Sequence, residues 1–205
     1  MEKRCEICGR QLISEKGSCL SCREKSLPAN EACDSGLIRP RALFPYTGMF
    51  KTILASYKFG KSLALGKFFT RCLLDESLRI TAFKGASWVP VPPKPGKIKR
   101  QGWDQIEFLA ALLEKSNKNS KDKIAEGKLP VCRCLKRLPS RSQKELNREE
   151  RRGNLKDRIV CSIKAPRIAL IFDDVITTGA TLNSCAEALL ENGAEKVYGL
   201  CLFYD

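Results

Sequence analysis

The stretch Ile168-Ala169-Leu170-Ile171-Phe172-Asp173-Asp174-Val175-Ile176-Thr177-Thr178-Gly179-Ala180-Thr181 decides the fold. Ile168 to Phe172 is a continuous apolar run, the pattern of a strand buried on both faces of a parallel sheet. Asp173-Asp174 ends the run, and Thr177 to Thr181 makes a turn. Leu182, Cys185, Ala186, Leu189 and Leu190 then mark a helix, stopped by Asn192-Gly193. Val197 to Phe203 reads as the next strand. A β–loop–α–β order makes this an α/β chain with a mostly parallel sheet flanked by helices. Ligands of such sheets bind outside the carboxyl ends of the strands. There the turn opens a helix whose unpaired N–H groups and dipole favour an anion. Three threonine hydroxyls add donors, and Gly179 lets the backbone approach closely. Carboxylates do not bind phosphate; Asp173 and Asp174 accept hydrogen bonds from sugar hydroxyls or hold a cation. A phosphorylated ribose satisfies both halves. The bland alternative is a strand-end pair of acids with no ligand.

Upstream, Phe50, Ile53, Leu54 and Tyr57 fall at i, i+3, i+4 and i+7, and a second periodic stretch runs from Leu63 to Leu78. Ala86 to Pro92 is a short strand ending in prolines, and Pro93 to Gln101 a Lys-rich polar loop. A helix follows from about Trp103, with Ile106, Leu109, Ala110 and Leu113 on one face. Residues 115–128 read as an exposed loop, and 141–152 as a highly charged helix or a loop that orders on binding. Trp88 and Trp103 read as core aromatics. Ala55-Ser56-Tyr57-Lys58-Phe59-Gly60-Lys61-Ser62 satisfies a relaxed Walker pattern. The residues before Gly60 read as a helix, however, where a P-loop needs a strand. Lys58 and Lys61 are then surface or anion-facing lysines.

The 205 residues carry a formal charge of +14, distributed unevenly: +10 over residues 94–158, −3 over 159–205. A basic middle points to a polyanion, either nucleic acid or a phosphate-rich small molecule, against the plainer reading of a solvated basic face. Histidine is absent, which excludes His-dependent triads, HExxH zinc hydrolases and imidazole acid–base chemistry. No apolar run approaches the roughly 20 residues that span a bilayer, and the N-terminus has no signal-peptide core, so the chain reads as cytoplasmic and not membrane-inserted.

Of eleven cysteines, four are ordered as Cys5-x2-Cys8 and Cys19-x2-Cys22 with ten residues between the pairs. Two such turns make a closed tetrahedral set of thiolates that suits a structural Zn2+. A redox CxxC is the alternative, without the βαβ surroundings it needs. Residues 1–26 are too poor in apolar side chains for a core of their own, so a metal is the means of folding a zinc-ribbon-like module over residues 1–34; residues 35–205 form the main domain. Cys33 is a stray or substitute ligand. Cys185 and Cys201 read as core residues, and Cys132-x-Cys134 has no evident partner.

Ala169 to Thr181 resembles the signature of type I phosphoribosyltransferases that binds phosphoribosyl pyrophosphate (PRPP). The order of the other pieces is similar to the ComF family: a four-cysteine module, Tyr57-Lys58-Phe59, Val89-Pro90-Val91-Pro92, Gly102-Trp103-Asp104-Gln105, then Gln143, Leu146, Arg151 and Asn154. The resemblance covers nearly the whole chain. It implies a PRPP site made by Asp173, Asp174 and Val175 with Thr177, Thr178, Gly179, Ala180 and Thr181: the aspartates on the ribose, the threonine turn on the 5-phosphate. The loop after Pro92 resembles the pyrophosphate loop, where Lys97, Lys99 and Arg100 are chemically suited. The segment with Arg137, Gln143 and Arg151 resembles the mobile loop that closes over the site and excludes water. Residues 35–85 stand where the superfamily places its acceptor-selecting hood, and carry no base-recognition motif. The family usually has Arg-Gly-Phe-Asn-Gln where this chain has Gln101-Gly102-Trp103-Asp104-Gln105; Arg100 stands one position earlier, and Asp104 is an added carboxylate.

The resemblance implies two functions. The first is transfer of a phosphoribosyl group from PRPP, accompanied by Mg2+, to an amine or base nitrogen, with Asp173, Asp174, Arg137 and Arg151 as the catalytic set. The second is a non-catalytic adaptor for DNA uptake that uses the same fold as a PRPP sensor. It would bind single-stranded DNA through Arg133, Lys136, Arg141, Lys144 and Arg148 and work with a helicase-like competence protein.

Overall fold

The computed structural model describes residues 4–5, 9–11, 30–31, 38–119, 129–139 and 159–205. The strands are β1 (Asn30–Glu31), β2 (Arg41–Pro45), β3 (Ser87–Pro90), β4 (Leu135–Arg137), β5 (Ile159–Cys161), β6 (Ile168–Ile176) and β7 (Lys196–Tyr204). The helices are α1 (Met49–Lys58), α2 (Leu63–Arg79), α3 (Lys97–Gln101), α4 (Gln105–Asn119) and α5 (Ala180–Glu191), with a 3-10 turn at Thr81–Phe83. The main sheet has the order β1-β2-β7-β6-β3; β2, β7, β6 and β3 run parallel, and β1 joins β2 antiparallel. β4 and β5 form a separate antiparallel ladder. The mostly parallel α/β architecture that the strand–turn–helix–strand pattern implied is the one observed.

Side chains alternate across β6 and divide the core in two. Leu170 and Phe172 point to one face, where Leu200 and Leu202 of β7 meet Phe50, Leu54 and Tyr57 of α1, Phe69 and Leu73 of α2, and Leu109 and Leu113 of α4. Ala169 and Ile171 point to the other, against Leu182, Cys185 and Leu189 of α5 and against Leu135 and Ile159 of the small ladder. Trp88, fully buried in β3, sets its ring edge-on to Phe172 at 5.6 Å. The candidate hood stretch therefore supplies β2 to the sheet and α1 and α2 to its first face. Gly66 of α2 lets that helix approach α4: a Cβ there would meet Phe108 Cε1 at 2.3 Å.

Several boundaries differ from the sequence reading. β6 does not stop at Phe172 but continues through Asp173-Asp174 to Ile176, because backbone pairing is indifferent to side-chain polarity and β7 offers partners as far as Tyr204. The Lys-rich loop contains α3, begun after Gly96 in the left-handed conformation at φ 71°. The next helix starts at Gln105 rather than near Trp103. Asp104 Oδ1 accepts the N–H groups of Ile106 (2.9 Å) and Glu107 (3.0 Å), a helix N-cap that fixes the boundary. That helix runs to Asn119, so residues 115–119, read as loop, are helical. The stretch before Gly60 is the last turn of α1, not a strand, which disposes of the Walker match. Among the described residues no helix is long and apolar enough to cross a membrane.

Candidate functional site

The two acids are neighbours on one strand, so the pleat sends them to opposite faces. Asp174 lies on the α1/α4 face. It is only 5% exposed. Lys58 Nζ sits 3.0 Å from its Oδ2, and Gln105 Nε2 donates to the same oxygen at 2.5 Å. Tyr57 OH in turn donates to the Gln105 carbonyl at 2.6 Å. Burial and the charges of Asp174 and Asp104 push the Tyr57 phenol well above its ordinary range, so it remains a donor. Lys97 Nζ, at the start of α3, bridges Asp104 Oδ2 (2.6 Å) and Gln105 Oε1. A polar chain Lys58–Asp174–Gln105–Lys97–Asp104 thus ties the end of the central strand to the α3 segment.

Asp173 faces the α5 side. Its Oδ1 accepts the Asp174 N–H at 2.8 Å. Burial, then the neighbouring Asp174 charge, pushes its carboxyl up to about 8, against the opposing pull of that N–H, of Lys58 and of Arg137. Beneath it, burial and the Asp173 charge raise the Cys185 thiol, which is an inert core group. After the strand, Thr177 and Thr178 are exposed, and Gly179 takes φ 72° to start α5. Thr178 Oγ1 accepts the Ala180 N–H at 3.4 Å. Val175 pairs with Phe203 in the ladder, which holds the strand end in register below the turn.

A cleft of about 790 Å³ opens here. Asp173 and Thr181 lie in its wall, as do six cations: Lys58, Lys61, Lys94, Lys97, Arg100 and Arg137. Such a volume suits a small phosphorylated metabolite. Its six cations, against Asp104 and Asp173, suit a polyanion. Lys97, Arg100, Arg137, Asp173 and Thr181, all named from sequence, are brought together; Asp174 is close by but turned under the cleft toward Lys58 and Gln105. The sequence reading missed the roles of Lys58, Gln105 and Asp104. Each belonged to a stretch quoted for the family resemblance, yet Gln105 and Asp174 are 69 residues apart and nothing local reveals the bond. Trp103, read as core, is half-buried in the cleft wall, packed on Phe108 (4.9 Å) and Tyr57 (5.8 Å).

The nucleic-acid candidates divide. Arg133 pairs with Glu107 Oε2 (2.8 Å) and Glu114 Oε1 (2.5 Å) on α4, and these bonds, that to Glu114 foremost, raise its pKa. A guanidinium so engaged has little left to offer a phosphate. Lys136 is exposed on β4. Arg141, Lys144, Arg148, Gln143 and Arg151 lie outside the described residues, as do Cys8, Cys19 and Cys22. Of the proposed thiolate set, Cys5 is buried inside a tight turn: its N–H donates to the Arg10 carbonyl (2.7 Å), Gly9 N–H donates back to Cys5 O (2.9 Å), and Gly9 is at φ 72°. Among the described residues, no three His, Cys, Asp or Glu side chains converge into a metal-holding group. Cys132 and Cys134 do have a neighbour in Cys161 across the small ladder, which spacing did not reveal.

No family model matches the chain. It is similar over most of its length to curated proteins: 28% identical over 197 residues to the competence protein ComFC of Streptococcus pneumoniae, covering 96% of this chain and 78% of that one. The competence protein ComFC of Bacillus subtilis is 27% identical over 192 residues, 92% of this chain and 72% of the relative. The DNA utilization protein YhgH of Escherichia coli K12 is 25% identical over 209 residues, 97% and 88% respectively.

Proposed function

The chain belongs to the ComF family, and from that premise and the cleft's chemistry we propose that it binds PRPP and transfers its phosphoribosyl group, with release of pyrophosphate, in a process tied to competence and DNA uptake. One observation carries the reading: Asp173 and Thr181, from the two ends of the β6–α5 turn, open onto the same cation-lined cleft. The 5-phosphate seats on the amides and hydroxyls of Thr177 to Thr181, where left-handed Gly179 exposes the start of α5. Asp173 takes ribose hydroxyls directly. Asp174 orients Lys58 and Gln105 beneath the sugar and reaches the ribose only if the Lys58 pair loosens. Lys94, Lys97, Arg100 and Arg137 surround the leaving group.

The reaction is displacement at the anomeric carbon. The bond from C1 to the pyrophosphate oxygen breaks, a bond from the acceptor nitrogen forms, and that nitrogen gives up its proton to solvent. The transition state has oxocarbenium character, so positioning and neutralisation of the departing pyrophosphate supply most of the acceleration. No protein nucleophile is needed. Mg2+, if bound with the substrate, would neutralise charge on the departing pyrophosphate, and Asp173 in the cleft wall is a carboxylate that would face it. Asp104 holds Lys97 at 2.6 Å, so pyrophosphate has to draw that ammonium away from a carboxylate. The N-terminal cysteines, with Cys5 in its turn, hold a structural Zn2+ in this proposal.

Calorimetry with PRPP and Mg2+ tests it. At pH 9, where the Asp173 carboxylate has formed, wild type should bind, and Asp173→Asn should weaken binding by about 1–3 kcal/mol, the size of a charged hydrogen bond. No binding by wild type, or undiminished binding by the variant, refutes it. The relatives' names and the +10 charge of residues 94–158 favour a second reading, an adaptor on single-stranded DNA. A gel shift that weakens steeply with salt supports it, and no shift at low salt removes it.

A further inference from the structure

The Asp104 side chain is only 2% exposed, yet it belongs to the wall of the cleft. A buried carboxylate has to be paired or hydrogen-bonded. Both oxygens of this one are engaged, in separate tasks. Oδ1 caps α4 by accepting the Ile106 and Glu107 N–H groups. Oδ2 takes Lys97 Nζ at 2.6 Å. The cap needs an acceptor and not a charge, so an asparagine carbonyl serves it as well. The ion pair is therefore separable from the folding of the helix. Lys97 is 20% exposed and opens α3; its ammonium donates to Asp104 and to Gln105 Oε1. Three N–H groups less these two bonds leave one for a ligand. The other cations around α3 are held differently. Lys61 Nζ donates to the Gln101 carbonyl at 3.0 Å and Arg100 Nη1 to the Pro95 carbonyl at 3.4 Å. A carbonyl accepts a hydrogen bond without cancelling a charge. Lys97, by contrast, meets an incoming anion as half of a neutral pair.

We propose that Asp104 is a positioning residue that sets specificity: by holding Lys97 in a neutral pair, it weakens the grip of the cleft on the diphosphate end of its ligand, so that pyrophosphate leaves readily once formed. The inference rests on the PRPP reading and deepens it, adding a residue that governs release of the leaving group. A diphosphate at this end either shares the remaining N–H of a neutral pair or separates Lys97 from a carboxylate in a largely buried place. Both are weaker than binding an ammonium with no acid behind it. The 5-phosphate seat at Thr177 to Thr181 uses neither residue, so the effect is confined to one end of the ligand.

Calorimetry on the full chain tests this, with inorganic pyrophosphate and ribose 5-phosphate as separate probes. Asp104→Asn keeps the cap and frees Lys97; it should bind pyrophosphate about 5- to 50-fold tighter than wild type, the worth of one charged hydrogen bond less what the Gln105 contact retains. Asp104→Ser, a second neutral cap, should repeat the gain. Lys97→Met strands the Asp104 charge and should weaken pyrophosphate binding by a similar factor. Asp104→Asn added to it makes the place neutral again and should return affinity to within about 3-fold of wild type. Ribose 5-phosphate affinity should move less than about 3-fold in Asp104→Asn. No gain in either capped variant, or a double variant no better than Lys97→Met, overturns the proposal. An equal gain for ribose 5-phosphate also overturns it, because the field of the whole cleft would then have changed and not one end. If PRPP and ribose 5-phosphate bind while pyrophosphate affinity ignores these substitutions, the proposal falls and the sugar-phosphate reading stands. If wild type and Asp104→Asn bind none of the three, both fall.

Discussion

Removing Lys58 should expose how much the buried acid pair depends on one cation. Lys58→Met keeps most of the stem and deletes the ammonium 3.0 Å from Asp174 Oδ2. Asp174 is then left 5% exposed, beside Asp173, with Gln105 as its remaining described side-chain partner. Losing one partner of a buried ion pair costs about 3–5 kcal/mol; the 27% exposure of Lys58 and the retained Gln105 bond reduce this to about 2–3 kcal/mol. For a chain of this size that is a fall of about 4–12 °C in Tm. Lys58 also counts among the charges that hold the Asp173 carboxyl down. Its removal pushes that carboxyl higher still, and the variant should lose most at alkaline pH, where both acids must ionise. Urea unfolding at pH 6 and pH 9 measures the difference. Adding Asp174→Asn removes the stranded charge and should restore at least half of the loss. A Lys58→Met cost under about 0.5 kcal/mol, or no recovery in the double variant, would show that water or rearrangement satisfies Asp174 and that the pair does not organise the site.

Three further outcomes follow from the same geometry. Because the Asp173 carboxyl is raised to about 8 from an ordinary value near 4, the unfolded chain ionises first: its contribution favours folding at low pH, erodes from about pH 4 and is gone above pH 8. Asp173→Asn should flatten that slope in urea titrations, and if PRPP binds as proposed, wild-type affinity should rise between pH 7 and pH 9 as the carboxylate forms and that of the variant should not. Gly66→Ala drives a methyl to within 2.3 Å of Phe108 Cε1 and should cost about 1–3 kcal/mol by overpacking; Phe108→Leu on top of it should recover stability, measured by thermal melts. Elemental analysis of the purified chain should find about one zinc per molecule, and Cys5→Ser should lower that content and loosen the N-terminal segment to proteolysis, the behaviour of a module that folds on its metal.

Much of this protein was legible in its residues alone. The apolar run Ile168 to Phe172 and the threonine–glycine turn after it identify a parallel-sheet strand followed by a turn into a helix, because burial on both faces demands unbroken hydrophobicity. The buried stripe Phe50, Ile53, Leu54 and Tyr57 came from periodicity, which depends only on 3.6 residues per turn. Tertiary structure decided the rest. It carried β6 two residues past the acids and so sent Asp173 and Asp174 to opposite faces, one to the cleft and one beneath it. It joined Lys58, Gln105 and Lys97 into one network, and it spent Arg133 on α4 rather than leaving it for a phosphate. Local propensity is set by a residue and its chain neighbours. Which charge neutralises which is set by distance, and here the partners are brought to about 3 Å by a sheet and helices that must pack first.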